Sequence, residues 1–212
     1  MQNPIPDYLR EVLDALRDDT SGERAGYIPE LAEAHPDYFA LAVTTAMGST
    51  YTAGDAGIEF TIQSISKPFA YAAAIMDRGL DQVLERIGVE PSGEAFNELS
   101  LEAGTNRPKN PMINAGAIAA HGLLVGADAT GERRVDRALQ LFSALAGRQL
   151  RIDESVFASE LGTADHNLSM AHMLRKHGII ADDPHEVVAG YTRQCSILVT
   201  VADLSAMAAT LA

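Results

Sequence analysis

Apolar positions along the chain fall into two different periods. From Pro6 to Arg17 (PDYLREVLDALR), Leu9, Val12, Leu13 and Leu16 recur at spacings of three, one and three, which predicts an amphipathic helix with one packing face. A second, short helical pattern runs from Pro29 to His35, with Pro29 suited to a first turn and Tyr27 just ahead of it. Phe39 to Thr45 (FALAVTT) is short, apolar and rich in β-formers, and Met47-Gly48-Ser49 separates it from Thr50 to Ala53. The two segments read as a β-hairpin, the only strand pair the pattern supports.

From Ser64 onward the period is helical: Ser66 to Arg78, Leu80 to Ile87, Ala115 to Val125, Val135 to Ala146, Glu154 to Leu161, Leu168 to His177, Pro184 to Tyr191, and Thr200 to the end. Glycine and proline clusters at Gly88 to Gly93 and Gly104 to Pro111 mark the longer loops. Thr200 suits an N-cap with Asp203 three residues on, and the helix it opens reaches Ala212 with no glycine cap or polar tail. That ending, and a hairpin without partner strands, lead us to expect a further C-terminal segment or a partner chain. The expected fold class is α+β, predominantly helical with an N-terminal β-hairpin. Residues 1–212 read as one domain, with 1–25 forming an N-terminal helix and linker, and no internal repeat or low-complexity tract breaks it.

Composition narrows the function classes. The 212 residues carry a formal net charge of −13, which disfavours nucleic acid and anionic membrane as partners. No apolar run approaches the roughly 20 residues a bilayer span needs, and Met1 to Arg10 lacks the basic and apolar regions of a leader. The single cysteine, Cys195, excludes a disulfide within the chain and points to a reducing, cytoplasmic setting. Cys195 itself reads as a small buried hydrophobe. The six histidines show no zinc-ligand spacing and no nucleotide-binding glycine motif is present, so neither metal nor cofactor is expected.

Candidate chemistry begins at Phe60 to Ala70 (FTIQSISKPFA), where Ser64 and Lys67 form a Ser-x-x-Lys pair. With 12 serines and three lysines, chance supplies this spacing roughly 0.2 times per chain, so the pair alone is weak. Pro68 strengthens it by placing a helix start near Ser64 to Ser66, which puts both side chains on one face. A serine hydroxyl needs a neighbouring base to become a nucleophile. Lysine serves when burial and the positive end of a helix lower its pKa, and the same terminus offers N–H groups to an oxyanion. The plainer reading is a capping serine and a solvated lysine. In NRPKNPMINAG, Asn114 is an N-cap or a directional donor and acceptor for a ligand. In SELGTADHN, Glu160 and Asn167 stand seven residues apart across a glycine-containing turn; taken together they could bind an ammonium and a carboxylate.

These segments occur together in a recognisable order. GYIPELAEAHPDYFALAV, GIEFTIQSISKPFAYA, GVEPSGEAFNE, NRPKNPMINAGAI, SELGTADHN, YTRQCSI and ADLSAMAATLA resemble, from about Gly26 to Ala212, the serine-dependent glutaminases, which have the β-lactamase/transpeptidase-like fold of the penicillin-binding proteins. The resemblance implies hydrolysis of L-glutamine to L-glutamate and ammonia through a γ-glutamyl enzyme, without a cofactor, in a homo-oligomer, dimer or tetramer. It implies Ser64 as nucleophile with Lys67 as its base, Gln63 alongside, and Tyr27 as an N-terminal active-site tyrosine. Asn114, Glu160, Asn167 and Tyr191 match the family's substrate-binding positions.

Family members continue for roughly a third more chain, through an NGG turn, a tyrosine and a strand like the Lys-Thr-Gly element of β-lactamases. This implies that Ser64 has half an oxyanion hole here, that the sheet lacks its C-terminal strands, and that the chain as written has little or no glutaminase activity. Two other readings stay open: another Ser-x-x-Lys acyl hydrolase of the same superfamily, and a non-catalytic fragment that binds an amino acid.

Overall fold

A computed structural model describes residues 3–212, so the first two positions of the segment read for a leader, Met1 and Gln2, lie outside the described residues. The chain divides into two compact units, Met1–Thr61 with Phe142–Arg151 and Leu198–Ala212, and Ile62–Leu141 with Ile152–Ile197.

The first unit holds the hairpin. Strands β1 (Ala40–Thr44) and β2 (Thr50–Gly54) pair antiparallel with Ala40 opposite Gly54 and Thr44 opposite Thr50, whose hydroxyls meet at 2.8 Å. Gly48, at φ 83°, makes the turn between them. Gly54, at φ 76°, ends β2 where a side chain would run into the Phe39 carbonyl and crowd Leu13, so only glycine fits. Helix α1 (Ile5–Leu16) packs on this hairpin through buried Leu9 and Leu13, while Leu16, expected on the same face, is 49% exposed. A short helix, α2 (Pro29–Ala32), opens at a proline as expected. Helix α10 (Val201–Leu211) also packs on the hairpin, and its Thr200–Asp203 capping box is formed in both directions.

The pattern missed a second sheet. Phe60–Thr61 (β3) pairs antiparallel with Ile197–Val199 (β5), and Arg151–Ile152 (β4) completes a three-stranded ladder in the order β3-β5-β4. Strands of two or three residues are too short to show a period, which is why the hairpin looked like the only pair. Arg148 sits in this unit between carboxylates, 2.7 Å from Asp203 and 3.2 Å from Glu59.

The second unit is helical: α3 (Ser66–Arg78), α4 (Leu80–Leu84), α5 (Asn114–Leu123), α7 (Glu154–Gly162), α8 (Asp165–Lys176), α9 (Pro184–Cys195) and the first eleven residues of α6 (Gly131–Ala146). Helix α5 is its axis. Ala115 through His121 are all buried, and the four alanines and Gly116 among them let α3, α8 and α9 all pack against it. Arg137 grips Asp77 through two nitrogens, the shortest contact being 2.8 Å, and Asp77 also accepts from the Val125 N–H, where the chain adopts φ 67°. No helix among the described residues is long and apolar enough to cross a membrane.

Candidate active site

The end of β3 delivers the chain to Ser64. Ile62, fully buried, donates its N–H to the Ile197 carbonyl at 2.8 Å, and Gln63 then takes φ 51°. A side-chain-bearing residue in the left-handed region costs about 1–3 kcal/mol and is held by its surroundings, here at the turn that presents the next residue. A single 3-10 turn, Gln63–Ile65, carries Ser64 to an exposed position, and α3 begins at Ser66. The helix start is therefore where Pro68 placed it.

Lys67 is 3% exposed, and its Nζ donates to the Met112 carbonyl at 3.0 Å and to Asn114 Oδ1 at 2.8 Å. Both acceptors are neutral. Burial lowers the Lys67 pKa, which the charge of Cys195 opposes more weakly. The Phe96 ring lies with its centroid 5.4 Å from Nζ. A neutral amine has two N–H bonds and one lone pair; with both donors taken, the lone pair is left to accept a proton.

Asn114 is not an N-cap. It is the first residue of α5, after Ile113, and its side chain makes no capping bond. Asn110 does the turning instead, its Oδ1 accepting from the N–H groups of Met112 and Ile113 at 3.0 and 3.3 Å. Freed from that task, Asn114 accepts from Lys67 and donates from Nδ2 to Asn167 Oδ1 at 3.2 Å. Asn167 lies in the first turn of α8, which carries Asp165 at its N-terminal end and Arg175 and Lys176 at its C-terminal end, the arrangement the helix dipole favours.

Tyr191 and Glu160 arrive on helices with strong starts. Asp183 caps α9 by accepting from His185 and Glu186, with Pro184 in the first turn, and Asp153 caps α7 by accepting from Ser155 and Val156. Tyr191 is 4% exposed; burial, together with the charge of Cys195, raises its phenol pKa well above the usual value, so it stays protonated. Its hydroxyl interacts with Cys195 and Ser64, and Glu160 is close enough for its charge to be felt there. Cys195 is buried as expected, its thiol pushed up to about 11 by desolvation.

Thus Ser64 meets Tyr191, Lys67 meets Asn114 and Asn114 meets Asn167, with Glu160 close by, all within the second unit. Tyr27 belongs to the first unit, where it precedes α2 and is 55% exposed. Sequence reasoning passed over Ser66, His121 and Gln194, which are fully buried beside these residues. A glutamine three residues after Tyr191 on a buried helix face was the available signal. Among the described residues no three His, Cys, Asp or Glu side chains gather as a metal site requires.

Comparison with known proteins bears on this geometry. The glutaminase family profile matches residues 22–212. A glutaminase of Corynebacterium glutamicum is 58% identical over 209 residues, 99% of this chain and 50% of that protein. The crystal structure of Mglu in its glutamate form superposes with a TM-score of 0.95 at 55% identity, covering 100% of this chain and 49% of that one. The probable glutaminase ybaS gives 0.94 at 35% identity, covering 100% of this chain and 68% of that one. The chain spans about half the length of the first curated relatives it matches. Its mixed, mostly helical α+β architecture is that of glutaminases with the β-lactamase-like fold, and with a family profile covering nearly its whole length the chain belongs to the glutaminase family.

Proposed function

We propose that the protein hydrolyses L-glutamine to L-glutamate and ammonia through a γ-glutamyl ester on Ser64. The observation that carries this reading is a buried lysine, three residues from an exposed serine, whose contacts are carbonyl oxygens rather than carboxylates. Burial lowers its pKa and so favours the free amine that a general base requires. The amine takes the Ser64 proton as Oγ attacks the γ-carboxamide carbon. The C–N bond then breaks, and nitrogen leaves as ammonia carrying the proton that Lys67 took from Ser64, so the amine is free again. Water attacks the ester and gives a proton to Lys67, which passes it to the departing Ser64 Oγ, releasing L-glutamate with serine and amine both restored.

Tyr191, protonated and beside Ser64, orients the nucleophile. Glu160 suits the substrate ammonium, and the Asn114 and Asn167 amides suit its carboxylate. Gln63 shapes the turn before the nucleophile. Tyr27 completes the catalytic set in this reading, on the strength of the family resemblance. The glutamate form of Mglu, 55% identical, supports a site for this amino-acid class. A homo-oligomer, dimer or tetramer, and a cytoplasmic location belong to the same reading.

The test is ammonia release from L-glutamine, with D-glutamine and L-asparagine as controls, by the protein at its full natural length and by Ser64→Ala. Release selective for L-glutamine and abolished in Ser64→Ala is expected. Release that persists in Ser64→Ala overturns the mechanism; no release overturns the function.

A further inference from the structure

Beneath the candidate site runs a chain of polar side chains that the mechanism above does not use. His121 Nδ1 lies 3.0 Å from Gln194 Oε1, Gln194 Nε2 donates to Ser66 Oγ at 3.0 Å, and Ser66 Oγ lies 3.8 Å from Cys195 Sγ. Cys195 and Tyr191 lie one turn apart on α9, and the Tyr191 hydroxyl interacts with Cys195 and Ser64. His121, Gln194 and Ser66 are each 0% exposed. We propose that Gln194 is a positioning residue for the candidate glutaminase site, the central link of a buried chain that sets the Ser64–Lys67 turn against Tyr191.

The placement of the members argues for this. Tyr191, Gln194 and Cys195 share one face of α9 at spacings of three and four. Ser66 lies two residues after Ser64 and one before Lys67, so a bond to Gln194 restrains both. His121 is on α5, the helix that opens with Asn114. One amide therefore joins the three helices that carry the base, the base's acceptor and the tyrosine, at the end of α3 that follows the nucleophile's turn. The donor order is also fixed. Gln194 gives its N–H to Ser66, so its oxygen must accept, and His121 must carry its proton on Nδ1. His121 Nε2 then has no partner among the described residues, and it faces Gly190, where any side chain would collide with it. A glycine at this point of α9 lets the imidazole reach Gln194.

Packing alone does not call for such an arrangement. Apolar residues of equal size would fill the space without leaving a buried ring nitrogen unpartnered. Hydrogen bonds add direction, and a site needs direction, since an ångström of misplacement far from the chemistry costs about 10²-fold in rate.

This proposal rests on the function proposed above, and two assays separate the failure of one from the failure of the other. The first is kcat per active site for L-glutamine, with sites counted by covalent labelling. The second is the rate at which p-nitrophenyl acetate acylates Ser64 with release of p-nitrophenolate, which requires no glutamine recognition. In the full natural chain, Gln194→Met keeps the side-chain length but removes both hydrogen bonds; kcat and acylation should fall about 10²-fold with KM little changed. Gln194→Glu, able to accept from both His121 and Ser66, should recover most of the loss. Ser66→Ala, a smaller change that serves if Gln194→Met fails to fold, should fall in the same direction, and the double variant should be no worse than the poorer single. Wild-type kcat and acylation in both Gln194→Met and Ser66→Ala, with only the melting temperature reduced, would overturn the proposal and leave the glutaminase reading intact. Slowed acylation in the variants of a protein that does not hydrolyse glutamine would uphold the positioning role and overturn that reading.

Discussion

Arg148 in the first unit and Lys67 in the second are two cations given opposite surroundings. Arg148 is bracketed by Asp203 and Glu59; the hydrogen bonds it donates to Asp203, outweighing partial desolvation, raise its pKa, and its charge is permanent. Lys67 donates to the Met112 carbonyl and the Asn114 amide oxygen, both neutral, in a site that burial makes hostile to charge. A cation matched with carboxylates holds structure together. One matched with neutral acceptors is pushed toward the free base, which is what activation of a serine requires.

Removing the two reacting groups should have the largest effect. Ser64→Ala and Lys67→Ala should each lower kcat for L-glutamine by about 10³-fold or more, measured by ammonia release. His121 sharpens the comparison as a third basic group without a carboxylate. Burial lowers its pKa to about 4, against 6.5 in the unfolded chain. It binds its proton more readily when unfolded, so stability should fall as pH drops from about 6.5 to about 4, by about 3 kcal/mol in urea melts, and this slope should vanish in His121→Gln.

Asn114→Asp should then break the distinction directly. It gives Lys67 the carboxylate that Arg148 already has, so the acid limb of kcat/KM should move to higher pH and kcat near neutrality should drop about 10²-fold. The reverse change, Asp203→Asn, should leave chemistry alone and weaken the first unit by about 1–2 kcal/mol in thermal melts, through loss of the Arg148 pair and part of the α10 cap. Burial alone would raise the Asp203 carboxyl, but Arg148 and Thr200 hold it below the usual range. Its contribution is therefore present above the unfolded carboxylate pKa of about 4 and is lost only as pH falls through the lower folded value.

The helices were legible because each carries its own start and period. Pro68, Thr200 with Asp203, and Pro184 placed α3, α10 and α9 within a few residues of their observed ends. Pro184 to Tyr191 nevertheless stopped one turn short of Cys195, and Val135 to Ala146 began one turn late, because polar residues at those ends blur the pattern. Strands β3, β4 and β5 had no period to read, and their pairing is between segments far apart in sequence. Ser64 and Lys67 were visible from spacing alone. Asn114 was visible as a residue but not as a Lys67 partner, since nothing local reveals that Asn110 has taken over the turn. The Gln194 chain was invisible for the same reason: its three links join residues 73 to 129 positions apart.

The central claim is that Lys67 is poised toward the free amine, and the chain contains only three lysines, Lys67, Lys109 and Lys176. Titration of 13Cε-labelled lysine by NMR reads all three at once, with Lys67→Arg assigning its signal. The account predicts one lysine deprotonating at clearly lower pH than the other two, and its signal is the one lost in Lys67→Arg. Three lysines titrating together in the ordinary lysine range would contradict it.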